Sequence, residues 1–239
     1  MRTCVQTSSE YKLADQERMK AARRYFQWQS QLAGNELGRR VLEVGCGLGN
    51  FSDHLKDREL VVGIDADEDC LSRWRERFAD RPKYVGHVLN AESPDLVEMR
   101  SYGIDSIACL NVLEHIEDDQ QVLRNMHALL PDGGRAVLLV PAFEALYGEI
   151  DARLSHFRRY TRVSVRRIAE SAGFRVRQLR FMNTAGFFGW WVNARILRRT
   201  EQSEEQVALF DSYVVPAISR LERWIPPPFG LSILATLEK

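Results

Sequence analysis

The sequence predicts an α/β fold, a parallel sheet buried between helices. Three observations predict it. Short apolar runs alternate with helical periodicity five times between residues 40 and 140. The first of these runs stops at Gly45 and is followed at once by Gly47 and Gly49. The 239 residues are 45% hydrophobic and 28% charged, enough apolar material for one sizeable core, which excludes a disordered or fibrous chain.

A helix is expected over residues 15–33, with Met19, Ala22, Phe26 and Ala33 on one face, widened by Tyr25, Trp28 and Leu32. Gly34 and Gly38 end it. Residues 40–44 read as a buried strand, a helical pattern follows the glycines, and residues 60–64 form the next strand. Asp67 can cap a helix carrying Leu71, Trp74 and Phe78. Strands follow at 84–89 and 106–110. Val122, Leu123, Met126, Leu129 and Leu130 then trace a helix face that ends at Pro131-Asp132-Gly133-Gly134. A strand at 136–140, a helix at 163–172 stopped by Gly173, and a strand at 174–181 come next, and 232–237 is the last strand. Between Asn183 and Pro228 this rhythm breaks, with a dense aromatic run over 187–192, a helix over 204–224 and a stiff Pro226-Pro227-Pro228 exit. A long insertion there suits a cap or a partner surface. The boundaries drawn are an N-terminal helical segment 1–38, a core 39–182, a helical cap 183–228 and a final strand 229–239, all in one domain.

The net charge of zero hides a split, because residues 153–199 hold twelve Lys/Arg against one acid, Glu170. That stretch fits either an anionic partner or a basic surface paired with acids elsewhere in the fold. The first ten residues lack the basic and apolar regions of a secretory leader, and no run approaches the roughly 18 apolar residues of a spanning helix. No stable membrane insertion is expected. Cys4, Cys46, Cys70 and Cys109 form no CxxC pair and no metal-ligand spacing, which fits free thiols in a cytoplasmic protein and predicts no metal centre.

In Val41-Leu42-Glu43-Val44-Gly45-Cys46-Gly47-Leu48-Gly49-Asn50, three glycines stand directly between a strand and a helical pattern. Glycine permits positive φ and close approach of a ligand to the backbone. A dinucleotide fingerprint needs a sixth-position glycine, where Asn50 stands, and a P-loop needs a Gly-Lys-Ser/Thr ending, which is absent. Asp65, twenty residues after Gly45 at a strand end, can accept hydrogen bonds from both hydroxyls of a ribose. The context fits a nucleotide-like ligand, with phosphate not the obvious group bound.

With Gly63-Ile64-Asp65, Asn111-Val112-Leu113-Glu114-His115-Ile116 and Leu130-Pro131-Asp132-Gly133-Gly134 in the same order, the chain resembles the class I S-adenosylmethionine-dependent methyltransferases over roughly residues 40–140. Leu146-Tyr147, His156-Phe157-Arg158-Arg159-Tyr160-Thr161 and Pro228-Phe229-Gly230-Leu231-Ser232 resemble a bacterial subgroup of the type 11/12 kind, sometimes found beside or fused to glycosyltransferases. The resemblance implies a Rossmann-like seven-stranded sheet whose last strand is antiparallel. It assigns Gly45, Cys46 and Gly47 to the cofactor's methionine and ribose side and Glu43 to its amino end. It gives Asp65 to the ribose and the carbonyl of Asn111 to the ammonium, with Gly49 and Ala66 also in the cofactor site. Asn90 stands where the family usually carries Asp against the adenine amino group, so that contact keeps an acceptor and loses a charge.

Methyl transfer from a sulfonium is an in-line displacement that relies chiefly on placing the acceptor close and aligned. Where the acceptor must lose a proton, His156 is the candidate base, with Asp151 to orient it. Glu114 and His115 are the rival pair. Arg158 and Arg159 can bind carboxylate or phosphate, and with Tyr147 and Trp190 they make the expected acceptor contacts, between the loop 151–160 and the cap. The leading expectation is therefore methylation of a small-molecule or glycan- or lipid-linked acceptor, anionic or partly apolar. Two rivals stand beside it. One is an RNA-modifying enzyme using the basic stretch, whose binding would fall steeply with salt. The other is a cofactor-binding partner protein without turnover, which would bind cofactor and consume none.

Overall fold

The computed structural model describes residues 8–193 and 203–239, so Cys4 and the last part of the basic stretch lie outside the described residues. Seven strands form one sheet: β1 (Arg40–Val44), β2 (Leu60–Asp65), β3 (Tyr84–Val88), β4 (Ser106–Leu110), β5 (Arg135–Pro141), β6 (Arg175–Met182) and β7 (Ser232–Glu238). Their order is β3-β2-β1-β4-β5-β7-β6, with β7 antiparallel to both neighbours and the other pairings parallel, the Rossmann-like arrangement expected from the sequence. Successive residues of a strand point to opposite faces, and both faces are buried. Leu42, Ile107 and Leu138 enter one apolar cluster, while Val41, Ala108 and Val137 enter the other.

The helices are α1 (Ser8–Met19), α2 (Arg23–Ala33), α3 (Glu68–Arg77), α4 (Asp119–Leu129), α5 (Glu149–Arg153), α6 (Arg162–Ser171), α7 (Thr184–Trp191), α8 (Glu204–Leu209) and α9 (Val215–Trp224). Asp67 caps α3 by accepting from the amides of Asp69 and Cys70. The single helix expected over 15–33 is instead two, broken at Lys20–Ala22. The break has a physical cause. Ala22 offers α2 no side-chain cap, and the buried Asp211, far along the chain, accepts from Arg24 N at 3.1 Å and Tyr25 N at 2.8 Å in its place. The helix expected after the glycines is only a short turn, Ser52–Leu55, because Ser52 is buried with its hydroxyl committed to Glu43 and to Trp74.

The insertion between β6 and β7 is helical as expected, with α8 and α9 joined by a wider π-type turn, Phe210–Val214, just before Pro216. Proline lacks the amide hydrogen that a regular helix would use, and a widened turn accommodates it. The buried Glu222 of α9 accepts from Asn183 N at 2.9 Å and Thr184 N at 2.8 Å, fixing the start of α7. Among the described residues, no helix is long and apolar enough to cross a membrane.

The basic stretch is answered by acids. Arg158 pairs with Asp119, Arg159 with Asp151, Arg166 with Glu170, and Arg175 and Arg177 with Glu238. Much of its described charge is thus matched inside the fold and does not form a free cationic face.

Candidate active site

The sheet order reverses between β1 and β4, and ligands of open α/β sheets bind at such a point, beyond the carboxyl ends of the strands. A cavity of about 1260 Å³ opens there. Gly45, Cys46, Gly47 and Asp65 line it, together with Glu114, His115, His156 and Trp190.

Gly45, Gly47 and Gly49 all have positive φ. At Gly47, with φ of 50°, an added Cβ would lie 2.4 Å from Gln16 Oε1. At Gly45 it would lie 2.4 Å from Val112 Cγ2. Gly49 differs from the other two. It lies outside the cavity lining, and its Cβ would meet Phe78 at 2.5 Å, so this glycine packs against α3 instead of facing the ligand space assigned to it from the sequence.

The loop amides are already used. Those of Gly45 and Cys46 both donate to Ile64 O, that of Gly47 to Asp65 Oδ2 at 2.8 Å, and that of Leu48 to Gln16 Oε1 at 3.1 Å. A loop whose amides are satisfied this way is no phosphate cradle. Asp65 Oδ1 also accepts from Asp67 N at 3.0 Å, and a carboxylate with about four acceptor positions retains lone pairs for two hydroxyls. Burial raises the pKa of Asp65, and the amides of Asp67 and Gly47 act against the rise.

Ala66, Cys46, Asn90 and Asn111 line the cavity. Asn111 ends β4 in the left-handed region, φ 56°, a conformation asparagine tolerates better than most residues. Asn90 Oδ1 accepts from Glu92 N at 3.0 Å. Gln16 carried no sequence signal, yet its side chain reaches from α1 into the glycine loop, and its backbone carbonyl accepts from Asn50 Nδ2 at 3.2 Å. Lys12, Asp15 and Tyr25 join it in the lining.

Glu43 lines the cavity from β1, and burial pushes its carboxyl up to about 8. It is therefore protonated in the folded protein near neutral pH, while the unfolded chain ionises near 4.5. Between those values the unfolded state binds fewer protons. The Glu43 contribution to stability is thus full below the ordinary carboxylate range and is lost as pH rises through about 8, at a slope of at most ~1.4 kcal/mol per unit. Glu43→Gln is expected to flatten this part of the pH dependence of urea unfolding. Parallel curves for wild type and variant would show Glu43 to be charged in the fold.

His156 Nδ1 lies 2.8 Å from Asp151 Oδ1, and Arg159 forks onto the same carboxylate through Nε at 2.9 Å and one terminal nitrogen at 3.1 Å. Burial raises the pKa of Asp151, but hydrogen bonds and charge from His156 and Arg159 outweigh it, and the net shift is downward. Asp151 is fully buried outside the cavity lining, and its carboxylate meets His156 and Arg159. His115 Nδ1 lies 2.9 Å from Leu154 O, and Phe157 N donates to Glu114 O at 2.7 Å, which stitches the two loops together. Burial, then the neighbouring His156, pushes His115 down to about 3, and burial raises Glu114 to about 7.

The expected arginine clamp does not form. Arg158 turns away from the cavity to Asp119 at 2.9 Å and Glu117 O at 2.7 Å. Arg159 borders the cavity, but its donors go to Asp151 and Ala142 O, and its face stacks 4.7 Å from the Trp190 ring centroid. Tyr147 also lies outside the lining, its hydroxyl donating to His156 O at 2.7 Å. Trp190 does face the cavity, with Nε1 donating to Leu146 O at 3.1 Å. Gly186 and Gly189 of α7 continue the same wall.

Residues 16–179 match the family model described as a methyltransferase domain. A ubiquinone biosynthesis O-methyltransferase of Shewanella is 31% identical over 105 residues, 44% of this chain and 44% of that protein. The chain thus spans less than half the length of this curated relative. Among solved structures, a SAM-dependent methyltransferase from Archaeoglobus fulgidus superposes with a TM-score of 0.57 at 18% identity, covering 91% of this chain and 94% of that one. The N-methyltransferase NodS of Bradyrhizobium japonicum, solved with S-adenosyl-L-homocysteine, gives a TM-score of 0.55 at 16% identity, covering 89% and 84%.

Proposed function

Because this chain belongs to the methyltransferase-domain family and carries the class I fold of its S-adenosylmethionine-dependent members, we propose that it methylates a small-molecule acceptor, free or glycan- or lipid-linked, bound beside His156. The observation that carries this reading is the cavity, which runs unbroken from Asp65 to His156. At about 1260 Å³ it exceeds the ~300–1,000 Å³ of ordinary ligand pockets, so it has room for a cofactor and an acceptor together. The relative named for ubiquinone biosynthesis supports a small acceptor attacked at oxygen. The internal pairing of the basic stretch favours such an acceptor over RNA.

The residues present suit the cofactor. Gly45 and Gly47 line the cavity with backbone at positive φ, where a side chain would collide with Val112 or Gln16, and Asp65, also in the lining, keeps acceptor positions free. S-adenosylmethionine supplies, when bound, an electrophilic methyl on a positively charged sulfur. Asp65 would accept from the ribose hydroxyls, with Ala66 beside it. Glu43 and the carbonyl of Asn111 would hold the amino end, Gly45, Cys46 and Gly47 the methionine side, and Asn90 the adenine. At the acceptor end Trp190 provides an apolar wall that excludes water. His156, its Nδ1 held by Asp151, presents Nε2 to take the acceptor's proton.

Calorimetric titration with S-adenosyl-L-homocysteine tests the cofactor half. Asp65→Ala removes a charged acceptor, a loss of about 1.5–3 kcal/mol, so binding is expected to weaken between about 10-fold and 150-fold. Equal affinities would move the ribose elsewhere.

A further inference from the structure

We propose that Glu114, His115 and His156 form a binding site for one divalent transition-metal ion of the zinc or cobalt class, open on its remaining side to the acceptor end of the cavity. A donor atom from each of the three side chains lies within 4.8 Å of the other two, the one such cluster among the described residues. All three residues line the cavity.

The second observation is Glu114 itself. The residue is only 1% exposed, yet its Oε2 has no hydrogen-bond partner. Leaving a buried carboxyl oxygen unpaired is costly, and a cation at the cluster would satisfy it.

The imidazoles are prepared for the same task. His115 Nδ1 meets a backbone carbonyl, Leu154 O, at 2.9 Å, and His156 Nδ1 meets a carboxylate, Asp151 Oδ1, at 2.8 Å. Both partners only accept hydrogen bonds, so each Nδ1 carries the proton and each Nε2 keeps the lone pair. A ring nitrogen hydrogen-bonded to a carbonyl or carboxylate while the other faces the metal is the usual outer shell of a metal-bound histidine. Two imidazoles and one carboxylate with open positions match zinc, cobalt or iron(II) better than magnesium or calcium, which prefer oxygen donors.

The proposal rests on the acceptor reading above for what the open side would face, and it changes one role. In the metal-free protein His156 is the proton acceptor. In the loaded protein its Nε2 is a ligand, and the cation's open position takes an oxygen of the acceptor.

The test is direct titration of tag-free, chelator-stripped protein, with Zn²⁺ by calorimetry and with Co²⁺ by visible absorption. Wild type is expected to bind one ion per chain and, with cobalt, to show the visible bands of nitrogen ligation. His115→Ala and Glu114→Gln are each expected to weaken binding at least ~10-fold, the lower end of what disturbing a metal site costs. Titrating the same samples with S-adenosyl-L-homocysteine reports whether the cofactor site is intact. If His115→Ala loses its fold, Glu114→Gln, which keeps the side-chain size, decides the matter. Absence of saturable one-to-one binding by wild type, or wild-type affinity in Glu114→Gln, would overturn the site. Metal binding without any binding of S-adenosyl-L-homocysteine by wild type would instead strike at the methyltransferase reading and leave the metal site standing.

Discussion

Gly47→Val is expected to yield a folded protein that no longer binds S-adenosylmethionine measurably. Two effects combine. The backbone at Gly47 sits at φ 50°, where a β-branched residue is strained by about 1–3 kcal/mol. The new side chain would also come up against Gln16 Oε1, which now accepts from Leu48 N. Gln16 is flexible enough to withdraw, but the valine methyls would then occupy the cradle between the loop and Asp65. Circular dichroism reports the fold and calorimetry the affinity. A variant that is folded and binds normally would reduce the glycine loop to a structural turn.

His156→Ala, assayed in chelator once an acceptor is in hand, is expected to lower kcat by about 10²–10⁴-fold while leaving cofactor affinity unchanged. The reason lies in the pairing of His156 with Asp151 at 2.8 Å and in the position of its ring at the acceptor end of the cavity. The pH profile separates this role from simple packing. Loss of a base changes the shape of the pH–rate profile, whereas a packing defect lowers the whole profile without changing its shape. Asp151→Asn is a poorer probe, because it would also leave the buried Arg159 guanidinium without its counter-charge. A near-wild-type kcat for His156→Ala would point to an acceptor that attacks without losing a proton first.

The sheet was legible because its signals are local. Each strand is a short apolar run with its own stop, and the spacing from Gly45 to Asp65 is fixed by one strand–helix–strand unit. What the sequence hid depends on contacts between distant segments. The break in the first helix is set by Asp211, and nothing near Ala22 announces it. The meeting of Glu114 and His115 with His156 depends on Phe157 N reaching Glu114 O and His115 reaching Leu154 O. Among the described residues, the one cluster of possible metal-ligating donors is therefore assembled across two loops. Arg158 and Arg159 misled for a simpler reason. The segment beside the Ala142–Tyr160 bridge is extended, so consecutive side chains point to opposite sides, one toward Asp119 and the other toward Asp151. Gly49 was grouped with its neighbours by spacing alone, whereas its surroundings are the rings of α3 and Phe78.

A chimera that borrowed only the 183–228 segment from a relative would inherit a wall and lose its fastenings. Asp211 holds the first amides of α2, and Glu222 holds those of Asn183 and Thr184. A donor segment without acids at both places would leave amides unpaired at two helix starts at once. The sheet would feel the change through Val215, which is buried in one apolar cluster with Met182 of β6 and Leu234 of β7. The 183–228 segment is therefore transferable as a matched set with the helical pair before β1, and not as a loop graft.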